Sequence, residues 1–214
     1  MRRFIIATLS IMIPLGCTAG IFNFGKISYT QYVNPFVGTD FHGHTFPGAA
    51  YPFGMIQLSP DTRTDNWDGC SGYHYSDSTI WGFSHTHLSG TGCADYCDLL
   101  VMPVVDYEAF VTAMEEAAGR EIEDFPQDYI FNEYYESPFS HSHEKASPGY
   151  YGVFLERWGV QVDLSVGRRS AMHKYLFPKG VEPQLVIDLE HRDKVLDSHI
   201  KQEGHNAISG RRRS

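Results

Sequence analysis

Histidine is the residue type whose placement first suggests chemistry in this chain. His42-Gly43-His44 and His85-Thr86-His87 form two H-x-H pairs with His74 between them, so five of the 11 histidines fall within positions 42–87. On extended backbone such a pair points both rings to one face, which is how strand-borne metal sites are often built. The same rings also hydrogen-bond hydroxyl-rich ligands or one another. No carboxylate stands at a fixed ligand spacing from either pair, and no residue is assigned to a metal on sequence alone. Trp67, Cys70, Asp95 and Asp98 fill out this polar, aromatic stretch. Acid–base hydrolysis on paired carboxylates would draw on Asp95 with Asp98 or Asp65 with Asp68, and neither pair has a feature beyond proximity, since Asp is common at turns for local reasons. Ser84 next to His85 is a poor nucleophile–base pair, because neighbouring residues on a strand point to opposite faces. Phosphate-loop, dinucleotide, G-x-S-x-G and H-E-x-x-H signatures do not occur,.

The elements that must hold these residues are mainly strands. From Asn34 to Pro60 turn formers break the chain every few residues, which favours short strands and structured loops,. Gly69, Gly72, Gly82, Gly90 and Gly92 let the backbone turn sharply or approach a ligand closely,. Further on, Tyr151, Val153 and Leu155 alternate, as do Val160, Val162, Leu164 and Val166, then Ala171, His173, Tyr175 and Phe177. Period two puts one face of each run into a core and predicts a β meander, with a further strand starting at Leu185. Phe110, Ala113, Met114 and Ala117 follow helical spacing instead, predicting one short amphipathic helix within 106–120, inside an acidic insertion that runs to Glu136,. The expected class is all-β dominated: a β-sandwich with one short helical insertion, read as incomplete because the alternating strands are few for two layers.

Composition bounds the rest. At 214 residues the chain suits one domain,. Seventeen basic against 26 acidic residues give a formal net charge of −9 and no basic stripe, which excludes nucleic acid as a partner,. Arg2 and Arg3 precede an apolar run from Phe4 to Leu15, the anatomy of an export signal in residues 1–20,. Cleavage falls either before Cys17, leaving a lipid anchor there as the one membrane contact, or after Ala19. The expected location is exported, as a periplasmic protein or an outer-membrane lipoprotein. Cys70, Cys93 and Cys97 then remain, an odd number that supports no disulfide framework,. Cys93 and Cys97 read as two small buried thiols rather than zinc ligands.

Several long motifs in order carry more than any short pattern. NPFVGTD (34–40), HGHTFPGAAYPFGMIQLSPDT (42–62), CSGYHYSD (70–77) and GFSHTHLSGTG (82–92) resemble the N-terminal motifs of glycoside hydrolase family 92, and SPFSHSHEKASPGYYGVFL (137–155) and LVIDLEHRD (185–193) resemble its later strands. The resemblance implies an exo-acting, calcium-dependent, inverting α-mannosidase acting on N-glycans and related mannans. It implies an N-terminal β-sandwich joined to a catalytic (α/α)6 barrel, with the active site between them. Residues 28–214 would be part of that sandwich, and the barrel, with its acid and base carboxylates and calcium ligands, has no counterpart in this sequence. No catalytic residue and no cofactor is then expected in this chain, with calcium belonging to the full-length enzyme. The matched loops imply substrate contacts for Gly43, His44, Trp67, His85, His87 and Asp95. The expected partners are mannose-containing glycans and the catalytic domain. Two competing readings are a free-standing carbohydrate-binding β-sandwich module and a secreted metal-binding module built on the histidines.

Overall fold

A computed structural model describes residues 28–64, 66–93, 95–119, 132–192 and 194–214. The export signal, Cys17, Asp65 and residues 120–131 of the acidic insertion lie outside the described residues.

The strands in chain order are β1 (Ala49–Ala50), β2 (Gln57–Asp61), β3 (Thr79–Ile80), β4 (Gly82–Ser84), β5 (Leu100–Val105), β6 (Ser137–Pro138), β7 (Glu144–Ser147), β8 (Tyr150–Leu155), β9 (Val160–Val166), β10 (Ala171–Leu176), β11 (Pro183–Asp188), β12 (Asp197–Gln202) and β13 (Ile208–Arg213). One sheet runs β1-β2-β4-β5-β11 and a second runs β10-β9-β8-β7, with the small pairs β12-β13 and β3-β6 outside them. All pairings among the described residues are antiparallel, and those of the second sheet join consecutive strands,. The predicted meander is the second sheet. The strand starting near Leu185 leaves it, crossing to pair with β5 through Val186 opposite Met102.

Alternation places the core as expected. Tyr151, Val153, Leu155, Val160, Val162 and Leu164 are fully buried from the second sheet, and they meet Leu58, Phe83, Leu100, Met102 and Val104 of the first in a single apolar cluster. Both layers of a sandwich are therefore present among the described residues. The strands that alternation passes over are those of two to five residues in the Gly/Pro-punctuated stretch, such as β1, β2 and β4. The predicted helix is α1 (Tyr107–Ala118), whose Phe110 ring packs edge-on against the Trp158 indole at 5.0 Å. Asp106 does not cap it by side chain; its carboxylate accepts from the Glu182 N–H at 3.3 Å and ties the helix start to the turn before β11. Among the described residues no helix is long and apolar enough to cross a membrane.

Candidate functional site

The loops following β2 and β4 lie against the segment that precedes β1. Gly90 N–H donates to His44 O at 2.6 Å, Tyr75 N–H to Thr39 O at 2.8 Å and Cys97 N–H to Thr86 O at 2.8 Å. This lacing brings His42, His44, Trp67 and Asp68 together. His42 Nδ1 lies 2.6 Å and His44 Nε2 3.8 Å from the same oxygen, Asp68 Oδ1. The Trp67 ring sits over both imidazoles, tilted at 4.8 Å to His42 and edge-on at 4.3 Å to His44. Trp67 remains 54% exposed, whereas His44 is only 7% exposed and its Nε2 has no hydrogen-bond partner among the described residues. The hydrogen bond from His42 holds the Asp68 carboxyl below its ordinary range. The two rings converge for a reason other than strand alternation. His44 is left-handed at φ +52°, and Gly43 packs so tightly that a Cβ there would fall 2.1 Å from Gly38 O,.

The second H-x-H pair divides between two networks. His87 turns inward: its Nε2 is 2.7 Å from Asp61 Oδ1 and its Nδ1 2.8 Å from Gln57 O. Both nitrogens face acceptors, so the ring is an imidazolium, paired with a carboxylate in a site where both side chains have 0% exposure. Burial opposes the charge, but Cys97 and Asp61 beside the ring hold its pKa up at about 10. Burial alone would raise Asp61; His87 and His191, whose Nε2 reaches the other carboxylate oxygen at 3.2 Å, hold it well below the carboxylate range instead. Ser84 Oγ is 3.1 Å from His87 Nε2, so serine, histidine and aspartate do meet. They do not form a nucleophilic triad. Serine and aspartate crowd the same ring nitrogen, whereas catalysis needs the carboxylate on Nδ1 and a basic Nε2. Gly72, at φ +85°, covers this cluster where a Cβ would lie 2.5 Å from Asp61 Oδ1 and 2.9 Å from Cys97 Sγ.

His85 points the other way. Its Nδ1 lies 2.7 Å from Leu99 O, its Nε2 3.1 Å from His173 Nε2, and His173 Nδ1 2.7 Å from Tyr175 Oη. One pattern satisfies the chain: Tyr175 O–H donates to His173, His173 Nε2–H donates to His85, and His85 Nδ1–H donates to the carbonyl. Both rings are then neutral. Burial, and for His173 the neighbouring His85, push both pKa values down, His173 to about 4.

The carboxylate candidates have local duties. Asp98 accepts from Thr86 Oγ1 at 3.1 Å and from Arg212 Nη1 at 2.6 Å. Asp95 is exposed and accepts from the Tyr96 N–H at 2.8 Å. Cys70 and Cys97 are buried and Cys93 is exposed, all as free thiols. The expectation of two buried thiols fails at Cys93, because the turn through 90–93 runs over the surface. Asp61 and His191, which organise the buried cluster, carry no pairing signal in the sequence; their trace is that each lies inside a long motif, SPDT and LEHRD.

Residues 32–214 match the N-terminal domain of glycosyl hydrolase family 92. The chain is similar to the α-mannosidase BT3965 of Bacteroides thetaiotaomicron, solved in complex with mannoimidazole, at 36% identity and TM-score 0.70, covering 86% of this chain and 23% of that one. It is similar to the family 92 hydrolase ccman5 at 29% identity and TM-score 0.67, covering 86% and 24%. It also resembles an uncharacterised secreted glycosidase of Arthroderma benhamiae, 28% identical over 166 residues, 74% of this chain and 19% of the relative. The chain thus spans about a fifth to a quarter of the length of the relatives it matches.

Proposed function

The chain belongs to glycosyl hydrolase family 92, in the family's N-terminal domain, and on that premise we propose that it forms the sugar-holding side of an exported, inverting exo-α-mannosidase site. The observation that carries this is the Trp67 indole, 54% exposed and packed against two imidazoles. An indole face suits the C–H face of a pyranose, and rigid aromatic contacts cost little conformational entropy on binding. Trp67 is the contact surface. His44, next to Gly43, packs edge-on against the indole, and Asp95 is an exposed carboxylate on the loop after β4. His85 is held by Leu99 and His173 and supports that loop without offering a free nitrogen, and His87 anchors the 85–93 segment to β2 through Asp61.

Hydrolysis belongs to carboxylates outside residues 32–214. Asp98 and Asp68 are engaged with Arg212 and His42 in this domain. Calcium, which the family implies for the whole enzyme, takes six to eight oxygen donors. The donor clusters among the described residues, His42/His44/Asp68 and Asp61/His87/Cys97, are rich in nitrogen and sulfur and do not fit it. The partners in this reading are mannose-containing glycans and the catalytic (α/α)6 domain. Export is supported by the leader-like N-terminus and by the description of the Arthroderma relative as secreted; the lipid anchor at Cys17 is the membrane-bound form of that reading.

A site walled on one side leaves water on the other face of the sugar and buries little area. Titration of the chain with mannose, followed by tryptophan fluorescence, should give dissociation constants in the millimolar range or weaker, near −4 kcal/mol or less favourable by the roughly −4.1 kcal/mol equivalence of a millimolar constant. The response should vanish in Trp67→Ala. A mannose response of equal size in Trp67→Ala would move the site elsewhere.

A further inference from the structure

We propose that His42, His44 and Asp68 form a transition-metal site, taking zinc or copper(II), next to the Trp67 surface and testable without sugar. The three donor atoms, one from each residue, lie within 4.8 Å of one another. An ordinary surface ion pair would account for His42 and Asp68 alone. It leaves His44 unexplained: a residue only 7% exposed, whose Nε2 has no hydrogen-bond partner among the described residues and lies 3.8 Å from the Asp68 oxygen that His42 already approaches. A buried imidazole nitrogen left bare costs free energy unless something occupies it.

The backbone holds this arrangement against its own preferences. Phe41 and His44 are both left-handed, at φ +49° and +52°, and Gly43 between them has no room for a side chain. Strain of this kind, imposed by the surroundings, concentrates at functional sites. The donor set selects the ion. Two imidazoles and one carboxylate suit zinc or copper, while calcium and magnesium prefer oxygen. Three protein donors leave a coordination position open, and Asp68 and His42 are solvent-accessible enough for an ion to enter from outside, at 33% and 67% side-chain exposure,. The ion would sit beneath Trp67, whose indole packs on both imidazoles.

The chain titrated with zinc alone near neutral pH should take up one ion with micromolar or tighter affinity by calorimetry, and copper(II) should quench tryptophan emission with the same saturation point. His42→Ala and Asp68→Asn change an exposed and a half-buried group and spare the buried ring, so their melting curves should stay cooperative while zinc affinity falls about tenfold or more, the scale on which even outer-shell changes act. His199→Ala, on β12 and away from the cluster, should bind as the parent does. No saturable zinc uptake by the parent overturns the proposal. So does uptake unchanged in both His42→Ala and Asp68→Asn, and if Cys97→Ser then abolishes it, the ion belongs to the buried Asp61/His87/Cys97 cluster instead. Because no sugar is present, these outcomes leave the mannose reading untouched.

Discussion

Asp61 is the residue on which the loops depend. It is fully buried, and as an anion it holds two histidines from segments 26 and 130 positions away. Such a pair is costly to bury and more costly to break on one side, because the remaining charge is stranded. The sign of its pH dependence follows from the pKa shifts. His87 is raised from 6.5 to about 10, so its contribution is whole below pH 6.5 and is lost as pH rises toward 10. His173 is lowered from 6.5 to about 4, so the unfolded chain gains a proton that the native ring refuses, and stability falls as pH drops from 6.5 toward 4. Asp61, depressed below 3.8, contributes above that pH and is lost only in stronger acid. Urea midpoints should therefore peak near pH 6.5, and His87→Gln should lower the peak and flatten the alkaline side. A midpoint still rising at pH 9 would contradict the charged assignment of His87. Gly43→Ala must displace the Gly38 carbonyl that would lie 2.1 Å from the new Cβ, and it should cost roughly 1–3 kcal/mol, as overpacking does, read from the same denaturation curves.

Among the elements, β8 and β9 were legible because six and seven residues sample the two-residue period several times, and burial follows it: Val160, Val162 and Leu164 are inside while Gln161, Asp163 and Ser165 are not. A strand of two or three residues such as β1 or β4 is shorter than any pattern that could announce it, and its place is fixed by register with β2, Ala49 opposite Leu58 and Ser84 opposite Ser59. The site was legible to the same degree. H-x-H marked His42 and His44 correctly as a converging pair but gave no sign of Asp68, 26 positions after His42. The identical pattern misled at His85 and His87, where the chain has left β4 and the two rings serve different networks. Long-range partners depend on topology, which period and spacing do not encode. Because Leu58 on β2 joins the two sheets in one core, Leu58→Ala should cost roughly 2–5 kcal/mol in chemical denaturation, as buried leucine truncations do. A loss near zero would mean the two sheets do not share that core.

At the scale of the whole molecule, the β12-β13 hairpin stands apart from both large sheets. Ile200 and Ile208 are exposed, and together with Leu99, Ile187, Leu189 and Arg212 they line a cleft of about 560 Å³ that includes none of His42, His44, Trp67 or Asp68. Apolar surface of this kind should bind a hydrophobic dye, and Ile200→Lys with Ile208→Lys should reduce the signal without altering sugar binding. The central claim is that this domain holds mannose on Trp67 and does not cleave it. Aryl α-mannosides should accordingly show no turnover above a buffer blank, with or without calcium. The most direct test follows the three indole N–H resonances, those of Trp67, Trp81 and Trp158, in a nitrogen-15 spectrum during titration with methyl α-mannoside. The account predicts that the Trp67 resonance shifts progressively over the millimolar range while those of Trp81 and Trp158 stay in place. A Trp67 resonance unmoved by the sugar, or shifts confined to the other two, would contradict it.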